Sequence, residues 1–206
     1  MKEFKIPIDS AYYDTFFCAI RNKKDVIKLL MNTVKYVQTD AKVEGDDISY
    51  LHIIIDDMNR FIYESEDKVF SIRSPFNINV ADGAINFYTK NISKVDSRLS
   101  SQIISLLSDE NFDSPNSLDF TYLLEETFGE ADEVWAFVME LLSFEDGYLR
   151  FDHDPKNEDK RKHPLNHLDI CYTTASTYKI GTYNKPCAKY MTSLLSNKVD
   201  SMYLER

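Results

Sequence analysis

Residues 48–73 read ISYLHIIIDDMNRFIYESEDKVFSIR, and the pattern of this stretch decides the fold. Ile48 to Asp56, Arg60 to Glu64 and Lys68 to Arg73 are short runs rich in β-branched and aromatic residues. Asp56-Asp57 and Glu66-Asp67 interrupt them. Breaks of a few polar residues leave room for a tight turn but not for a crossover helix, so the runs predict antiparallel strands. Asn77 to Val80 and Ala84 to Tyr88 continue the style around Asp82-Gly83, which gives a meander of four or five strands. Alternation within the runs predicts one buried face and one polar face carrying much of the acidic charge.

Outward from the meander the period changes. Gly45-Asp46-Asp47 is a turn signal. Before it, Val26, Leu29, Leu30, Val34 and Val37 recur at helical spacing, and Asp9-Ser10 can cap a helix through Tyr12, Phe16, Phe17 and Ile20. After it come a helix through Leu99, Ile103, Leu106 and Leu107, then helices over Leu118 to Phe128 and from Ala131 to Leu142. Glu130, Asp132 and Glu133 suit the positive end of the latter. Tyr148 to Asp154, Leu168 to Thr173 and Thr177 to Tyr183 read as strands, the last two joined by Thr174-Ala175-Ser176. A final helix, Ala188 to Leu195, has Pro186 at its start. The expectation is an α+β fold, antiparallel sheet with helices packed on one face, in a single domain over 1–206. Ser108 to Asn116, with Pro115, is the point where it would subdivide.

Composition excludes several functions. The net charge of −10 removes the excess of Lys and Arg that non-specific nucleic-acid binding needs, so any such contact falls to a local basic patch. Only 5 Gly are present and none cluster before a helix, which excludes a Gly-rich phosphate loop. Cys18, Cys171 and Cys187 form no CxxC pair and point to a reducing compartment. No leader-like run and no membrane-length apolar run is present, so the expected location is the cytoplasm with no membrane partner. Asn91-Ile92-Ser93 is then a chance sequon.

Chemistry concentrates between Gly147 and Gly181. Three of the 4 histidines, His153, His163 and His167, lie there with Asp152, Asp154 and Asp169. Side chains alternate across a strand, so Arg150, Asp152 and Asp154 share a face, as do His167, Asp169 and Cys171. Lys179 opposes Tyr178 and Ile180 on the third strand. If the three strands are adjacent, these groups meet on one polar face, while Leu149, Phe151 and His153 face the core.

Carboxylates from neighbouring strands with a lysine suit a divalent metal and a hydrolytic role, with Asp152, Asp154, His167, Asp169 and Lys179 as catalytic candidates. The order departs from the usual nuclease core, because Thr177 stands where an acidic residue would precede Lys179. His163 and His167 have the i, i+4 spacing of a zinc helix, but Pro164 opposes a helix and no Glu intervenes. Cys171 near His167 is the nearest approach to a Cys/His pair. Ion pairing among Arg150, Lys160, Arg161, Lys179 and the aspartates, with His167 tied to a carbonyl, accounts for the same residues without a ligand. Lys156, Lys160, Arg161 and Lys162 form the local basic patch, interrupted by Glu158 and Asp159. Arg150, His163, Lys160, Arg161 and Lys162 are the binding candidates.

Phe151-Asp152-His153-Asp154-Pro155 followed by His163-Pro164-Leu165-Asn166-His167-Leu168-Asp169 resembles a pattern in uncharacterised bacterial proteins that carry a domain of unknown function. The likeness covers residues 144–181. It implies a bacterial or mobile-element origin near defence or toxin–antitoxin genes, and no established activity. The expectation is a non-catalytic binding or regulatory subunit with a protein partner and no cofactor, self-association being left open. The alternatives are a divalent-metal hydrolase acting on nucleic acid or nucleotides, and a small-ligand sensor lined by Tyr148, Tyr172 and Tyr178.

Overall fold

The computed structural model describes residues 1–39, 49–172, 178–185 and 187–200. The turn at Gly45-Asp46-Asp47, the connection Thr174-Ala175-Ser176 and Pro186 lie outside the described residues. The fold is α+β, with antiparallel pairing throughout the described sheets. No helix among the described residues is long and apolar enough to cross a membrane. The chain forms two compact units, one from Met1–Phe17, Val43–Arg73 and Gly147–Arg206, the other from Cys18–Lys42 and Ser74–Asp146.

The first unit is built on a seven-stranded sheet. Its strands are β1 (Lys2–Ile8), β2 (Ser49–Ile55), β3 (Arg60–Glu64), β4 (Lys68–Arg73), β7 (Leu149–His153), β8 (Asn166–Ile170) and β9 (Tyr178–Gly181), in that spatial order. The three runs of residues 48–73 pair as the sequence predicts. β1 was not expected. Phe4, Ile6 and Ile8 do alternate, but Pro7 lacks a backbone donor and weighs against a strand in the middle of a sheet. The structure resolves this by placing β1 at an edge.

The predicted one-sided alternation is corrected in β3 and β4, where residues on both faces are buried. On one face Ile54, Ile62, Val69 and Phe151 pack with Ala188 and Met191 of α6 (Ala188–Leu194). On the other, Tyr63 stacks on Phe70 at 4.6 Å. Phe16 and Phe17 lie against these two rings at 5.8 Å and 6.0 Å. Each such aromatic contributes roughly 1.5–3 kcal/mol by leaving water, so two covered faces outweigh a polar one. The helix expected after Asp9 is also shorter than predicted. Asp9 accepts from the Ala11 amide and starts a 3-10 turn, and only α1 (Tyr13–Phe16) follows.

The second unit holds α2 (Lys23–Val37), α3 (Ser97–Leu106), α4 (Ser117–Phe128), α5 (Asp132–Ser143) and a separate hairpin, β5 (Asn77–Ala81) with β6 (Ala84–Tyr88). This hairpin corrects the meander of four or five strands, since only β2, β3 and β4 of those runs pair in succession. Pro75 follows β4 and cannot donate to a ladder, and Ser74 Oγ accepts from the Phe76 amide in a local turn instead. Asp82 and Gly83 both have positive φ, 51° and 79°, the geometry of a two-residue hairpin loop that glycine adopts without strain. Asn22 and Asp25 form a capping box at the start of α2, and Asp96 caps α3. Phe76, Phe87 and Phe137 meet in this unit's core. The segment 108–116 lies within the unit and contains a 3-10 turn, Glu110–Asp113.

Candidate functional site

Strands β7, β8 and β9 are neighbours, and their registers bring the expected side chains together. Arg150 pairs across from Asp169 and Asp169 from Lys179, while Asp152 pairs across from His167. Residues directly opposite in a ladder point to the same face. The cluster therefore holds Arg150, Asp152, His167, Asp169 and Lys179. It lies on the face of Phe70, opposite Phe151 and α6.

His167 and Asp169 are fully buried, at 0% exposure. Charge in such a place needs a partner of opposite sign. Arg150 Nη2 donates to Asp169 Oδ2, and Arg150 Nε lies 2.8 Å from Asp152 Oδ2. Lys179 Nζ donates to both Asp169 oxygens at 3.0 Å and 3.2 Å. Burial works against ionised Asp169, but Lys179 and Arg150 overcome it and hold its carboxyl below the usual range. Burial likewise opposes the Arg150 charge, and the oxygens of Tyr148, Asp152 and Asp169 keep it protonated.

His167 is held from both sides. Its Nδ1 lies 2.7 Å from the Pro164 carbonyl, which can only accept, so Nδ1 carries the proton. Nε2 then accepts from Lys179 Nζ at 2.9 Å. Burial first, and the Lys179 charge with it, push this imidazole below its ordinary pKa, which leaves it neutral near pH 7. The His-Pro segment is the cap of the cluster. His163 sets its ring edge-on to His167 at 4.6 Å. Pro164 packs so close to Gly181 that a Cβ there would sit 3.1 Å from Pro164 Cγ.

Other candidates fall outside the cluster. Asp154 lies beyond β7; its amide donates to Leu165 O, and its carboxylate accepts from Asn157 and approaches His163 Nε2 at 3.3 Å. The Asn157 amide lowers its pKa. Cys171 is past the end of β8, exposed, with φ at 67°, so no Cys171–His167 pair forms on one strand face. Lys160, Arg161 and Lys162 are exposed on the loop before β8, closed by the Asp159–His163 bridge. Of the proposed sensor lining, Tyr148 is buried with its ring against Tyr172 at 5.6 Å; the Tyr178 side chain lies outside the described residues. A cleft of about 210 Å³ lined by Ile54, Asp56, Met58, Arg60 and Leu195 opens on the face of the sheet opposite the cluster.

Sequence reasoning missed His52. It lies on β2 between Glu3 of β1 and Glu64 of β3, with ring nitrogens 2.8 Å and 2.9 Å from their carboxylates. Glu64 also accepts from the Ala188 amide at the start of α6. A histidine inside a β-branched run was the available signal, but its partners are visible only once the register is known.

Three ligand-type atoms of Asp152, His167 and Asp169 lie within 4.8 Å of one another. Asp152 Oδ1 is buried without a hydrogen-bond partner among the described residues. A divalent ion here would take these three side chains as ligands, and Lys179 would have to leave His167 Nε2 first. No family model, no curated protein and no solved structure matches the chain.

Proposed function

We propose that the chain is a non-catalytic binding or regulatory subunit with a protein partner, of the kind its resemblance to uncharacterised bacterial proteins associates with defence or toxin–antitoxin systems. One observation carries this reading: the imidazole and both cations of the cluster are engaged within it. A general base needs a free lone pair within reach of its proton donor. The His167 lone pair is taken by Lys179, the opposite nitrogen by Pro164 O, and both aspartates sit against Arg150 or Lys179. Such a network stabilises a sheet edge and a loop without any reactant.

The test is elemental analysis of the purified full chain together with Asp152→Ala. No stoichiometric Mg, Mn or Zn, and a biological effect that survives the substitution, are expected. A tightly held divalent ion, with hydrolysis of nucleic acid abolished by Asp152→Ala, would overturn the proposal. The unpartnered Asp152 Oδ1 favours a second reading, the metal-dependent hydrolase, in which the Asp152–His167–Asp169 triad holds the ion and Lys179 moves to the substrate. The same measurement separates the two.

A further inference from the structure

Charge in this chain is segregated along the sequence. Between Leu99 and Leu149 there are twelve Asp and Glu and no Lys, Arg or His. The whole chain has a net charge of −10, so the remainder is net positive. Within the second unit, Asp113 and Asp146 pair with Lys24 and Lys23 of α2. Glu125, Glu126, Glu130, Asp132 and Glu133 are exposed and form no ion pair among the described residues.

Asp132 and Glu133 have a local reason to be acidic, since they occupy the first turn of α5 and complement its dipole. Glu125 and Glu126 do not. They stand in the last turn of α4, where the dipole disfavours anions, and that turn has no basic residue. The same helix leaves two large apolar side chains in water. Leu118 and Tyr122 are 57% and 63% exposed. Their i, i+4 spacing, with Glu125 and Glu126 one turn on, puts apolar anchors and carboxylates along one face. The opposite side of α4 carries the buried Leu123 and Leu124.

We infer that this outer face of α4 is a docking surface for a lysine- and arginine-rich segment of a protein partner, an inference that rests on the binding role proposed above. Charge complementarity selects the occupant. The carboxylates repel nucleic acid and acidic lipid, and they gain a counter-charge only from a basic segment. Leu118 and Tyr122 supply the anchors on which such an interface concentrates its affinity, Tyr being a favoured hot-spot residue.

The test uses the full chain and a labelled helical peptide of about 20 residues, long enough to hold a helix, with Lys at its polar positions and Leu at i, i+4. Binding is read by fluorescence anisotropy at about 0.15 M salt, where exposed charges beyond one Debye length are screened. Tyr122→Ala is expected to weaken binding about tenfold or more. Glu125→Gln with Glu126→Gln is expected to weaken it and flatten its salt dependence. Glu66→Gln with Asp67→Asn, an equal charge change at exposed positions of the first unit, is expected to leave it unchanged. These side chains are exposed, so the variants do not disturb the core. Absence of binding, equal affinity for a peptide with Gly in place of Leu, or equal effects of the Glu66/Asp67 double variant and the α4 double variant would each overturn the inference. Detection of a hydrolytic metal centre would instead remove the non-catalytic reading and leave the α4 measurement to stand on its own.

Discussion

On the sheet, Asp152 and Asp169 lie against Arg150 and Lys179; on α4, Glu125 and Glu126 face water with no cation beside them among the described residues. The same carboxylate chemistry is thus handled in two ways, and solvent is the reason. A buried charge loses its hydration and must be matched nearby, whereas an exposed one keeps its water and is free to meet something else. Changes at the cluster should therefore appear as lost stability, and changes on α4 as lost binding with stability kept.

The largest effect is expected from Asp169→Ala. It removes the buried anion that Arg150 and Lys179 share and leaves Asp152 alone against two cations, which costs about 3–5 kcal/mol. Urea unfolding measures this, and a loss below about 1 kcal/mol, the range of exposed ion pairs, would mean that the cluster is wetter than described. Next comes His167→Ala. It leaves the Pro164 carbonyl without its donor and unpins the loop, for roughly 1–3 kcal/mol. Faster proteolysis at 156–165 should accompany it, and an unchanged digestion rate would argue against the capping role.

The two histidines sharpen the comparison through pH. Burial opposes protonation of His52, but the hydrogen bonds to Glu64 and then Glu3 outweigh it and raise its pKa above 6.5. Its contribution is present in full below pH 6.5 and is lost as pH rises through the raised value. His167 is lowered from 6.5 by burial, so its contribution is present above pH 6.5 and is lost as pH falls through the lowered value. Urea midpoints measured from about pH 5 to 8, the range in which histidine titrates, should show opposite changes. His52→Gln is expected to flatten the alkaline decline and His167→Gln the acid one. Curves altered in the same direction by both would contradict the assignment.

The smallest effect should come from Glu125→Gln with Glu126→Gln. Surface substitutions of this kind stay within about 0.5 kcal/mol. Relief of the dipole conflict points to a slight gain. A loss comparable to that of Asp169→Ala would show that these residues are structural and that the contrast between the two regions is false.

Local sequence carried much of this. The β-branched runs of residues 48–73, the Asp82-Gly83 turn and the apolar spacing from Val26 to Val37 act through neighbours along the chain, so their period and turn chemistry announce the strands, the tight turn and α2. Pleating also determined that Arg150 and Asp152 share a face, and that His167 and Asp169 do, because alternation needs no knowledge of the partner strand. Adjacency and register required the tertiary structure. Pro75 turns the chain away from β4, but nothing local makes β7 the strand that pairs there, or His52 the bridge between Glu3 and Glu64. Burial was decided there too: the aspartates read from sequence as a polar face open to a metal or substrate, and in the fold Asp169 and His167 are buried, with Asp169 paired to Arg150 and Lys179 and His167 held by the Pro164 carbonyl.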